Sequence, residues 1–139
     1  MVQLIRTIDI PDRLRLDVLA TARERGYQLA ASCTPLPEAF TDNLPFAWFR
    51  MLGGTRSDVV LDSATISVGV YGVSWANAVD TASLVHAIVM RLPFDPDRLT
   101  DWKQTTALSL PYEDPDPDHP TVPRVSFTCT VSVKSEIIQ

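Results

Sequence analysis

The clearest pattern in the chain runs from Arg124 to Lys134. Val125, Phe127, Cys129, Val131 and Val133 alternate with Arg124, Ser126, Thr128, Thr130, Ser132 and Lys134. Period two places alternate side chains on opposite sides of a strand. "PRVSFTCTVSVK" is therefore predicted to be a strand with one apolar face inward. Its Ser/Thr-rich face, which carries no acid, is expected to meet water or a partner. "KQTTALSLPYE" predicts the strand before it, and "SEIIQ" a C-terminal tail. In "VVLDSATISVGVYG", Ile66, Val68 and Val70 alternate with Ser67, Gly69 and Tyr71, which predicts another half-buried strand. "LPFAWFRML" is apolar throughout and predicts a strand covered on both faces. Between these two runs, "GGTRSD" predicts the turn of a hairpin spanning Leu44 to Gly72. "YQLAASCTPLPE" begins as a short strand and breaks at two prolines, and the first ten residues suit a strand or an extended arm.

Two stretches carry helical spacing instead. In "IPDRLRLDVLATARERG", Leu14, Val18 and Ala22 fall four apart with Leu19 alongside. Asp12 offers a carboxylate to the open amides of the first turn, and Gly26 supplies the stop. In "VSWANAVDTASLVHAIVMRLP", Ser74 is the expected cap, Pro93 marks the end, and Val79, Ala82, Val85, Val89 and Leu92 form the apolar stripe. The small residues Ala76, Ala78, Ala82, Ser83 and Ala87 let this helix sit close on a sheet. "FDPDRLTDW" reads as a loop with one helical turn after Pro96. The order predicts an α+β fold, a mainly antiparallel β-sheet flanked by two α-helices, in a single domain over residues 1–139.

Charge and composition narrow the function. A net charge of -5 argues against a nucleic-acid binder, so no sequence-specific nucleic-acid contact is expected. No apolar run approaches the roughly 20 residues of a membrane-spanning helix, and no secretory h-region is expected at the start. Cys33 and Cys129 stand far apart, without metal-ligand spacing. They are expected to be buried thiols in a reducing cytosol.

Asp114, Asp116 and Asp118 alternate as in a calcium loop, with His119 as a further ligand candidate. A calcium loop needs glycine at its sixth position and glutamate at its twelfth. Counted from Asp114, those positions hold His119 and Val125. Prolines 115, 117 and 120 also stiffen the segment, which therefore reads as a solvated loop between strands. His86 reads as a packed helical histidine. Cys129 is a poor nucleophile, because an apolar setting raises a thiol pKa. "LGGTRSD" lacks the lysine of a phosphate loop. Trp48, Trp75 and Trp102 suit core or interface anchors, with Trp75 and Trp102 the exposed ones. No catalytic, metal or cofactor site emerges, and a binding or structural protein is favoured over an enzyme.

The order of these motifs resembles the tail terminator proteins of long-tailed phages that infect actinobacteria. The resemblance lies in the aromatic strand and Gly-Gly turn of "PFAWFRMLGGTRSD", the "D-x-A-x-(apolar)-x-V" strand, and the helix introduced by Trp75-Ala76. The closing "DPDPDHPTVPRVSFTCTVSVK" adds to it. It covers Leu44 to Lys134, is weak across "PFDPDRLTDWK", and extends to the first 43 residues only in layout. It implies a structural virion protein, without cofactor, that forms a ring of about six copies on the head-proximal end of the tail tube. Such a ring stops tube polymerisation and offers a surface for head–tail joining. Its partners would be other copies of itself, the major tail tube protein and head-completion or neck proteins. It would assemble in the host bacterial cytoplasm and reside in the virion tail. A head-completion, neck or tail-completion protein is the alternative, and a small metal-binding or hydrolytic enzyme stands behind both. On this reading the contacts would come from Gly53, Gly54, Arg56 and Asp58 in the first turn. Asp114, Asp116, Asp118, His119 and Arg124 would supply them around the acidic loop.

Overall fold

The computed structural model describes residues 2–57 and 59–138. The first helix, α1 (Ile10–Glu24), starts one turn earlier than the charge pattern suggests. Its cap is Asp9, whose carboxylate accepts from the amide of Asp12 at 3.4 Å. Pro11 sits in the first turn, where no amide is needed. Asp12 instead holds Arg15 at 2.7 Å. The helix ends as expected at Gly26, with φ +80°, while Tyr27 N–H returns to Ala22 C=O at 2.9 Å.

Short strands β1 (Leu4–Arg6) and β2 (Ala30–Ser32) flank this helix. A turn of 3₁₀ helix at Phe40–Asn43 follows. Then come β3 (Phe46–Arg56) and β4 (Leu61–Tyr71), eleven residues each. The second helix, α2 (Trp75–Arg91), is capped by Ser74 as expected. After it lie β5 (Trp102–Thr106), β6 (Tyr112–Glu113), β7 (Arg124–Lys134) and β8 (Glu136–Ile138). The main sheet runs β2-β3-β4-β7-β5, with β6 also pairing β7. Only the β2–β3 pair is parallel. β5 and β6 act as one broken strand along β7, bridged where Ser109 and Thr128 exchange bonds of 2.9 Å. The expected α+β architecture, a mainly antiparallel sheet with two helices, is the observed one.

Both helices pack on one side of the sheet. There Ala47, Phe49, Ile66, Val68, Phe127 and Val131 meet Leu14 and Val18 of α1 and Val85 and Val89 of α2. Close approach is built in at Gly72, where an added Cβ would lie 2.5 Å from the Ala78 nitrogen. The opposite side carries a second, smaller core of Phe40, Phe46 and Tyr71 at one end. The rest of that side is polar. Among the described residues no helix is long and apolar enough to cross a membrane.

Several expectations need correction. "GGTRSD" is mostly not a turn. Gly53, Gly54, Thr55 and Arg56 continue β3 and pair with Thr65, Ala64, Ser63 and Asp62. Gly54 is needed because a Cβ there would stand 2.5 Å from Ser63 C=O, and Gly53 follows a register shift after Met51. Nor is β3 covered on both faces, since Met51 and Leu52 are 48% and 60% exposed. The buried stripe of α2 uses Ala78, Thr81 and Ile88, and leaves Val79 outside. The extra 3₁₀ turn, Leu92–Phe94, precedes Pro96 rather than following it. Trp102 is buried at the start of β5, because its indole N–H reaches Asp17 at 2.6 Å. Trp75 is exposed, as expected. Glu136–Ile138 are no loose tail, since β8 pairs with β1 in a two-stranded ribbon, and Gln139 lies outside the described residues. The polar face of β7 is not open along its length, for Arg124, Ser126 and Ser132 are buried.

Candidate functional site

The acidic loop expected to be solvated is anchored by a buried carboxylate. Register places Arg124, the first residue of β7, opposite Tyr71, the last of β4. Both side chains point to the polar side of the sheet, and the loop from 114 to 122 folds over them. Tyr71 Oη donates to Asp116 Oδ2 at 2.7 Å. His119 Nδ1 lies 3.0 Å from the same oxygen, and Asp118 N–H donates to Oδ1 at 2.9 Å. Arg124 Nη1 reaches Tyr71 Oη at 3.3 Å and stands 3.7 Å from Asp116 Oδ2.

Asp114 forms the other arm. Its carbonyl accepts from Arg124 Nε at 2.7 Å, and its carboxylate meets Arg124 Nη2 at 3.2 Å and Ser126 Oγ at 2.8 Å. The stem of Arg124 lies over Gly69, where a Cβ would approach its Cδ to 3.2 Å. Phe40 completes the cluster, 4.5 Å from the Tyr71 ring and 4.9 Å, edge-on, from His119.

The electrostatics follow from burial and bonding. Burial alone would raise the Asp116 carboxyl, but bonds from Tyr71, His119 and the Asp118 amide, with the charge of Arg124, hold it at about 2. The Tyr71 hydroxyl is pushed up to about 12, by burial first and by the Asp116 carboxylate it faces. It therefore remains a neutral donor. Arg124 is raised although burial works against it, because Tyr71 and the two aspartates favour its charge.

Asp114, Asp116, His119 and Arg124 thus come together, while Asp118 contributes its amide and keeps its side chain outside. Gly53, Gly54 and Arg56 belong elsewhere, toward the other end of β3. Arg56 holds Asp62 at 2.7 and 3.1 Å and Ile5 C=O at 3.0 Å, and Ser135 Oγ donates to Asp62 at 2.7 Å. This second cluster ties the β1–β8 ribbon to the main sheet. The bond from Arg56 is the main reason the Asp62 carboxyl sits at about 2. Asp58 lies outside the described residues.

Tyr71, Phe40, Ser126, Asp62 and Ser135 were not among the expected site residues. Alternation alone assigns Tyr71 to the face of Ser67 and Gly69; only the register to β7 sets it beside Arg124. Cys129 is fully buried, and its thiol is pushed up to about 12 by burial, as the strand pattern implied. Cys33 is only half-buried. His86 packs edge-on against Phe127 at 5.3 Å.

Chemically, the cluster is a clamp. An aspartate that orients a histidine is also part of hydrolytic triads. Here the same oxygen of Asp116 serves Tyr71 as well, so its charge is shared among three partners. A cleft of about 490 Å³ lies away from the clamp, between the C-terminal ends of the helices and the 92–97 loop. No protein-family model matches the chain, and no curated protein matches it.

Proposed function

We propose that this chain is a structural, non-enzymatic subunit of a phage tail, a terminator-type protein that forms a ring on the head-proximal end of the tube. The observation that carries this reading is the clamp. A densely bonded polar cluster fixes an exposed proline-rich loop rather than lining a cleft. A surface held rigid before contact loses less entropy on docking, which suits a part that must stack on a tube and receive a head. The exposed apolar residues Met51 and Leu52 in the middle of β3 add a second surface of the kind that assembly buries. Neighbouring copies, the major tail tube protein and head-completion proteins are the partners on this reading, and the mature location is the virion tail.

Deletion of the gene tests it. Over-long tails without heads are the expected result. Tails of normal length that fail to join heads would assign the chain to the neck instead. Normal virions would overturn both readings.

A further inference from the structure

Two surfaces of the chain lack an electrostatic complement, and each has what the other needs. The first is the polar sheet face beyond the clamp. Cross-strand register places Arg50, Thr55, Ser63, Thr65, Thr128 and Thr130 on its partly exposed area, with Ser67 and Ser132 buried among them and no Asp or Glu among the strand residues there. Its hydroxyls are engaged with one another, Ser63 with Ser132 at 2.8 Å and Thr65 with Thr130 at 3.3 Å. Arg50 stands out. Its guanidinium carbon lies 4.2 Å from the centre of the Trp48 ring, and its single hydrogen bond is a long one, 3.4 Å to Ser67 Oγ. No carboxylate pairs with it among the described residues. Its own Nε, and Trp48 Nε1 and Ser32 Oγ nearby, are buried without a hydrogen-bond partner among the described residues. A half-buried guanidinium next to unmet donors favours an oxyanion.

The second surface is the outer side of the clamped loop. Asp114 and Asp116 are consumed by Arg124, Tyr71 and His119. Asp118 is exposed, and its carboxylate makes no ion pair among the described residues. Its backbone is fixed by the bond to Asp116. Glu113, paired with Val125, faces the helix side of the sheet instead. Within one chain the Asp118 carboxylate makes no bond to Arg50.

We propose that neighbouring copies meet by seating the acidic loop of one chain, through Asp118, on the acid-free face around Arg50 and Trp48 of the next. This contact rests on the ring reading and deepens it. Used once with each neighbour rather than reciprocally, two different patches make a head-to-tail contact, the kind that closes into rings.

Charge reversal tests the contact. Wild type, Arg50→Glu, Asp118→Lys, and an equal mixture of the two variants are compared by sedimentation velocity and native mass spectrometry. Wild type is expected to be multimeric, and each variant alone to dissociate at about ten- to hundredfold higher concentration. The mixture should recover assembly, because every contact between unlike variants again opposes opposite charges. If both variants assemble as wild type does, or the mixture recovers nothing, the contact is wrong while the ring reading stands. A wild-type chain that stays monomeric at high concentration overturns both. Circular dichroism melts check the fold of Arg50→Glu. Should it fail to fold, Arg50→Gln replaces it, and the loop variant, altered only at an exposed position, decides on its own.

Discussion

Replacing Asp116 by asparagine keeps the shape of the side chain and removes what the clamp uses. Both carboxylate oxygens accept hydrogen bonds, one from the Asp118 amide and the other from Tyr71 and His119. Asparagine has one acceptor oxygen, so its NH₂ must face a donor on one side or the other. Arg124, whose side chain is 9% exposed, keeps Asp114 but loses its second carboxylate. A hydrogen bond to a charged group contributes about 1.5–3 kcal/mol. Linkage gives a similar figure. A carboxyl held at about 2 in the folded chain, against about 3.9 unfolded, contributes roughly 2.5 kcal/mol at neutral pH. Asp116→Asn should therefore destabilise the protein by about 2–3 kcal/mol at pH 7, read by urea unfolding followed through tryptophan fluorescence.

The sign of the pH dependence is set by the direction of the shift. The folded pKa is lowered, so the stabilisation is complete above the unfolded value and is lost as pH falls through the folded one. Asparagine does not titrate. The gap between variant and wild type should therefore narrow by more than about 1 kcal/mol between pH 7 and pH 2.5. A gap under about 0.5 kcal/mol at pH 7, against the 1.5–3 expected of a charged hydrogen bond, would refute the reasoning. So would a full-sized gap that persists unchanged at pH 2.5.

Two further predictions concern stability. Asp62 and Asp116 are both held at about 2, so the melting temperature of the wild type should fall steeply between about pH 4 and pH 2; a flat profile there would contradict the assigned bonds. Gly72→Ala should destabilise by about 1–3 kcal/mol in the same urea assay, because its methyl meets the Ala78 backbone at 2.5 Å; a neutral result would mean that α2 does not sit this close to the sheet.

The two sides of the sheet were not equally legible in the sequence, and the reason is physical. The helix side is held by burial, which is non-directional. Any apolar residue at the right period serves, so Val125 to Val133 and Leu14 to Ala22 announce their faces by spacing alone. The other side is held by particular bonds between residues brought together by register. Tyr71 and Asp116 are 45 positions apart, Arg124 and Tyr71 are 53, and no period connects them. The same limit explains Trp102, whose burial depends on Asp17, 85 positions away. It explains "GGTRSD" differently. Glycine serves a turn and a close strand approach equally well, and only the Ser63 carbonyl opposite Gly54 separates the two. The acidic loop joins both lessons. Its prolines suit an extended segment between β6 and β7, and its spacing departs from a calcium loop at His119 and Val125. What the spacing concealed is a division among its carboxylates. Asp114 and Asp116 turn inward to hold the loop, while the carboxylate of Asp118 stays exposed. A substitution at 116 should therefore be felt first in folding, and one at 118, on the proposed contact, only in assembly.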